Sequence, residues 1–82
     1  MNQNEILLKK TLSNVLGVGS DALDDDSSMD TISTWDSVKH LNLVLALEDA
    51  FSITFTEEQT MEIISYPLIK LVLAEHGVSF DI

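Results

Sequence analysis

The stretch DSVKHLNLVLALEDAF, residues 36 to 51, sets the strongest constraint on how this chain can fold. At about 100° per residue, the apolar side chains Val38, Leu41, Leu43, Val44, Leu45, Leu47 and Phe51 cover well over half of the helical circle. Lys39, Asn42 and Asp49 leave only a narrow polar strip. A helix lying on one side of a globular core needs a much narrower apolar stripe. This helix must therefore sit centrally, or it must keep apolar surface for something outside the domain.

The remaining chain reads as shorter helices around one long loop. Residues 4 to 16 form a helix, with Leu8, Leu12, Val15 and Leu16 at helical spacing. Asn4 or Asn2 offers a cap at its start, and Gly17 offers a stop at its end. Residues 17 to 35 are rich in Gly, Ser and Asp, which favour turns and local backbone bonds. Val18, Leu23, Met29 and Ile32 are scattered through this loop and are expected to pin it onto the core, with room for a short helical turn. SITF, residues 52 to 55, is strand-like but has no partner strand, so it reads as a connector. Thr56-Glu57-Glu58-Gln59 has the capping-box pattern and predicts a short helix ending near residue 64. Ser65 and Tyr66 break that helix, Pro67 suits the first turn of the last one, and Gly77 stops it. The expected fold is all-α: a four-helix bundle with three main helices, one short helix and a long first loop, in a single domain over residues 1 to 82.

Charge narrows the function classes. Four lysines, with no arginine, face fourteen acids, for a net charge of −10. Residues 1 to 20 carry +1, from Glu5, Lys9 and Lys10, and the other residues carry the rest. Such a surface repels phosphate backbones and anionic lipid, which argues against nucleic-acid and membrane partners. It attracts basic protein patches. There is no cysteine, so neither a disulfide framework nor a thiolate metal site is available. The N-terminus lacks a signal-peptide pattern, and no apolar run approaches a membrane span. A cytoplasmic monomer is expected.

Three chemistries deserve weighing. Catalysis would need a base beside a nucleophile. His40 stands three residues after Ser37, but no orienting acid follows by spacing, so an enzyme is not expected. Calcium binding is suggested by DALDDDSSMD. An EF-hand loop wants glycine at its sixth position and glutamate at its twelfth. Counting from Asp24 gives Met29 and Trp35, and counting from Asp21 gives Asp26 and Ile32, so both registers fail. Weak, stabilising divalent binding by Asp24, Asp25 and Asp26 remains an expectation. The third chemistry is attachment. If Asp36 caps the central helix, Ser37 takes the first helical position with its hydroxyl free. A phosphate ester there would sit at the positive end of the helix dipole. Spacing alone leaves cap, nucleophile and attachment point open.

At this point the residues resemble a known family. DSV at the head of the central helix resembles the D-S-[L/V] motif of acyl carrier proteins, whose motif serine carries 4′-phosphopantetheine. LGV at 16 to 18 resembles the end of that family's first helix, and DSSMDTIST at 26 to 34 falls where the family has its "ASF…LG" loop. LVLALEDAFSITFTEEQ at 43 to 59 resembles "LVMALEEEFxxxIPDEE", and EII at 62 to 64 matches the end of the family's third helix. The DS motif alone is weak, but the ordered set spans nearly the whole chain.

The resemblance implies an acyl-carrier-like bundle and a covalent arm, derived from coenzyme A, on Ser37, with Asp36 as motif aspartate. It places Lys39, Asn42, Glu48 and Asp49 on the helix that docks partner enzymes. It places Val44, Leu47, Phe55 and Ile63 around the space that can shelter an acyl chain. His40, one turn from Ser37, is expected either to contact the arm's phosphate or to tune partner choice. Trp35, where the family has small residues, is expected either to anchor the loop or to serve as a partner contact, with the anchor favoured. Lys39 and Asn42 stand where fatty-acid-synthesis carriers have acids, which points to a specialised member. The implied partners are a phosphopantetheinyl transferase and acyl-loading or acyl-processing enzymes with basic docking patches. The alternatives are an aminoacyl or peptidyl carrier, or a non-carrier acidic adaptor.

Overall fold

The computed structural model describes residues 3 to 80 and contains four α-helices and one 3-10 turn. The helices are α1 (Gln3–Leu16), α2 (Ser37–Phe51), α3 (Glu57–Glu62) and α4 (Tyr66–Glu75). No strand occurs among the described residues, and SITF is a connector as expected. The fold is the expected all-α bundle with three main helices, one short helix and a long first loop.

Each helix end has a local chemical cause. In α1, Leu8, Leu12 and Leu16 are buried at a spacing of one turn. Gly17, at φ +71°, then turns the chain left-handed, and its N–H returns to the Ser13 carbonyl at 2.9 Å. Asp36 caps α2: its Oδ1 accepts the Lys39 N–H at 2.8 Å. Thr56 and Gln59 form both bonds of the capping box on α3. Ser65 caps α4, with Pro67 in the first turn, and Gly77 follows the helix at φ +88°. Of the two cap candidates for α1, Asn4 is the one described. Asn4 lies inside the helix, and its Nδ2 donates to the Ser79 carbonyl at 2.9 Å, joining α1 to the C-terminal segment. Asn2 lies outside the described residues.

The loop of residues 17 to 35 is irregular but well fastened. It contains one 3-10 turn, Ser20–Ala22, and buries Leu23 and Trp35. Val18, Met29 and Ile32 pack against the core, as their scatter through the loop suggested. Its middle is bonded to the junction between α3 and α4. The Met29 N–H donates to the Ile64 carbonyl at 3.0 Å, and the Tyr66 N–H donates to the Ser27 carbonyl at 2.8 Å. Ser27 is buried and uses its hydroxyl to accept the Asp24 N–H.

The core combines Leu8, Leu12 and Leu16 of α1 with Leu43, Val44 and Leu47 of α2 and Tyr66, Ile69, Val72 and Leu73 of α4. Phe55 and Ile63, which flank α3, complete it together with Leu23 and Trp35. One polar cluster ties α1 to α4. Glu5 Oε2 accepts the Tyr66 hydroxyl at 3.0 Å and the Lys70 ammonium at 3.2 Å. The Lys70 bond, and secondly the Tyr66 bond, hold the Glu5 carboxyl below its ordinary range. Burial, and secondly the bond to Glu5, push the Tyr66 phenol up.

Candidate functional site

Ser37 opens α2 with its side chain exposed. Two neighbours fix it from behind. Trp35 is only 3% exposed and locks the incoming chain to the core. Asp36 occupies the cap, so Ser37 is not needed for capping, and its hydroxyl makes no hydrogen bond among the described residues. The first helical N–H groups lack intrahelical partners, and the positive end of the helix dipole lies here. The geometry is an exposed nucleophilic oxygen on a rigid base, in a field that favours an attached anion.

Around the circle of α2, about 100° per residue, Ser37 borders one outward face. Val38, Leu41 and Leu45 lie on that face at 67%, 67% and 65% exposure. Asn42 and Asp49 share the face and are exposed too. Leu43, Val44 and Leu47 point the opposite way, into the core. The broad apolar coverage of this helix therefore has two uses: half of it is core, and half is bare surface beside Ser37. Met61 on α3 adds further exposed apolar surface, at 68%.

The remaining candidate residues divide by what holds them. Glu48 does not extend freely as a docking acid. Its Oε2 accepts the Phe55 N–H at 2.8 Å, and its backbone carbonyl accepts the Ile53 N–H at 3.1 Å, so it fastens the connector after α2. Lys39 is half-buried. Trp35 is buried, so the anchor reading holds and its ring is not a partner contact. Val44, Leu47, Phe55 and Ile63 do come together, all buried in one core cluster. A groove of about 550 Å³ lies elsewhere, between Pro67, Leu71 and Ala74 of α4 and Val78 and Phe80 of the tail.

His40 does not reach toward Ser37. Its Nδ1 accepts the Trp35 indole N–H at 3.2 Å, and its Nε2 lies 2.7 Å from the Thr60 carbonyl oxygen. An indole nitrogen can only donate, and a carbonyl can only accept. The proton of the neutral ring therefore sits on Nε2. Both ring nitrogens are occupied from within the domain, and neither is left for a phosphate on Ser37. The serine–histidine pair weighed as nucleophile and base is likewise not assembled.

The acidic loop does not build a cation site either. Among the described residues no group of three or more acids and histidines is placed to hold a metal ion. Asp24 uses its Oδ1 to accept the Asp26 N–H at 2.9 Å, so the turn spends a carboxylate oxygen on its own backbone instead of aiming it at a shared centre. No described helix is long and apolar enough to cross a membrane.

The Trp35–His40–Thr60 chain and the Glu48–Phe55 bond were not anticipated from sequence. The first joins residues twenty positions apart at its far end. Its one sequence signal is a tryptophan just before the helix with a histidine five residues on. No family model matches the chain, and no curated protein is similar enough to count as a relative.

Proposed function

We propose that this domain is a carrier protein that holds acyl intermediates as thioesters on a 4′-phosphopantetheine arm attached to Ser37. The observation that carries the reading is the placement of Ser37: exposed, at the first helical position, with Asp36 capping in its stead. The resemblance of DSV and the ordered segments around it supports the same assignment. In the attachment step the Ser37 oxygen attacks the β-phosphate of coenzyme A. A new P–O bond forms, the pyrophosphate bond breaks, adenosine 3′,5′-bisphosphate leaves, and the serine proton passes to the transferase. The arm brings the thiol that this cysteine-free chain lacks. The domain presents cargo and leaves the chemistry to its partners, a transferase and acyl-loading or acyl-processing enzymes in the cytoplasm.

The outward face of α2 supports docking by a mixed surface. Val38, Leu41 and Leu45 give it apolar contact, and Asn42 and Asp49 give it polarity. Lys39 and Asn42, in place of acids, favour a specialised pathway over routine fatty-acid synthesis. The same bare apolar strip also fits a second reading, an acidic adaptor whose α2 binds a partner helix while Ser37 stays unmodified.

One experiment separates the two. The protein is incubated with coenzyme A and a broad-specificity phosphopantetheinyl transferase, and its intact mass is measured. The carrier reading expects a gain of one phosphopantetheine, absent in Ser37→Ala. No gain with several transferases overturns it in favour of the adaptor. Loading with acyl or amino-acid ligases then distinguishes an acyl from an aminoacyl or peptidyl carrier.

A further inference from the structure

The six residues of α3 include none that is buried, and a helix this short has no stability of its own. Its position depends on what grips it. Phe55 and Ile63 anchor its two flanks in the core. Two histidines grip its body from the neighbouring long helices. His40 of α2 holds the Thr60 carbonyl, and His76, at the end of α4, meets the Gln59 side-chain oxygen at 2.9 Å. Gln59 Oε1 also accepts the Thr56 N–H, which fixes that atom as an acceptor and makes His76 Nε2 the donor.

The two rings respond differently to a proton, because only His40 uses its other nitrogen as an acceptor. His76 already donates through Nε2, so a second proton on its ring leaves that bond in place. His40 must accept at Nδ1 while it donates at Nε2. Protonation removes the Nδ1 lone pair and sets an N–H against the indole N–H of Trp35, which cannot accept. The buried indole then loses its partner. The charged groups on the surrounding elements are Asp36 at the cap of α2, Lys39, Glu48 and Asp49 on α2, Glu57, Glu58 and Glu62 on α3, and Asp21, Asp24, Asp25, Asp26 and Asp30 in the loop. None of them forms an ion pair with the imidazole among the described residues, so no direct contact replaces the lost bond.

We propose that neutral His40 is a positioning residue, a latch whose Nδ1 holds the Trp35 indole to the head of the Ser37 helix and which opens on acidification, while its Nε2 keeps the Thr60 carbonyl of α3. The latch rests on the Trp35–His40–Thr60 geometry and does not require the carrier reading. Its use does rest on that reading: Trp35 lies two residues before Ser37, so opening the latch would loosen the base on which the arm stands.

The test uses the unmodified full chain, so a failed latch and a failed carrier assignment are read separately. Imidazole ¹⁵N shifts at neutral pH should show His40 protonated at Nε2 and bare at Nδ1. Fluorescence of Trp35, the single tryptophan, should change on acidification together with faster exchange of its indole N–H, by about fivefold for one lost hydrogen bond, while amide exchange in α3 stays flat. His40→Gln can donate to Thr60 and accept from Trp35 without titrating, so it should abolish the fluorescence change, whereas His76→Gln should keep it. An Nδ1-protonated ring in the native chain, which needs no variant to detect, overturns the proposal. So does a Trp35 transition that persists in His40→Gln, or indole N–H exchange that stays flat through it.

Discussion

Glu48 and Asp49 are adjacent acids on α2 with different work, and the difference is measurable. Glu48 Oε2 accepts the Phe55 N–H at 2.8 Å, and Phe55 is 6% exposed. Hydrogen bonds to a charged partner contribute about 1.5 to 3 kcal/mol. Glu48 is half-buried, which places this bond near the lower end of that range. Glu48→Ala removes the acceptor and leaves a mostly buried N–H to find water, so the expected loss is about 1.5 to 2 kcal/mol. For a domain of this length each kcal/mol lowers Tm by about 4 to 8 °C, so Tm should fall by roughly 6 to 16 °C. Glu48→Gln keeps an acceptor oxygen without the charge and should lose about half as much. Asp49→Ala removes the same charge from an exposed site and should stay within about 0.5 kcal/mol of the parent. Thermal and urea unfolding followed by far-ultraviolet circular dichroism gives all three values. Equal stability of Glu48→Ala and Asp49→Ala would refute the assignment of Glu48 to the connector. It would return Glu48 to the docking surface beside Asp49.

Two further tests address strain and pH. Ser52 ends α2 in the left-handed region at φ +54°, so Ser52→Gly should stabilise the domain by up to about 1 kcal/mol, read as a rise in Tm. The Glu5–Tyr66 contact should contribute stability between two limits. Glu5 is held below its ordinary 4.5, so its contribution is present above that pH and is lost as pH falls through the lowered value. Tyr66 is raised above its ordinary 10.0, so its contribution is present below that pH and is lost as pH rises through the raised value. Ultraviolet titration of this single tyrosine should show no midpoint near the ordinary value, and Tyr66→Phe should remove the alkaline dependence of stability. A tyrosine that titrates at its ordinary value in the folded chain would contradict the contact.

What could be read from sequence was what neighbours in sequence decide. The Asp36 cap, the Thr56–Gln59 box, the Gly17 and Gly77 stops and the place of Pro67 all rest on spacings of a few residues. The wide apolar coverage of α2 was legible too, together with the choice it left between a central helix and one that keeps apolar surface. Which residues were spare was not legible. Val38, Leu41 and Leu45 are as apolar as Leu43, Val44 and Leu47, and only the packing of α1 and α4 decides between them. Asn4 was one of two cap candidates because asparagine favours that role, but it lies inside α1, and its bond to Ser79, at the far end of the chain, could not be read from neighbours in sequence. Weak divalent binding by the acidic loop was the expectation because composition counts carboxylates and does not say where they point. His40 looked free because its partners, Trp35 and Thr60, come from two segments that only the tertiary fold brings together.

The fastening of the first loop has a consequence for how such a chain can vary. Leu23 is buried on one side of the acidic turn, and on the other Ser27 and Met29 are bonded to Tyr66 and Ile64. Asp24, Asp25 and Asp26 therefore form an exposed arch between two fixed piers. Lengthening a loop between fixed ends costs little, about 0.6 kcal/mol per doubling. The arch can grow, shrink or change charge while the piers, and the Ser37 helix beyond them, stay where they are. Divergence among chains built this way should concentrate in those three positions, leaving the serine's surroundings to change by substitution alone.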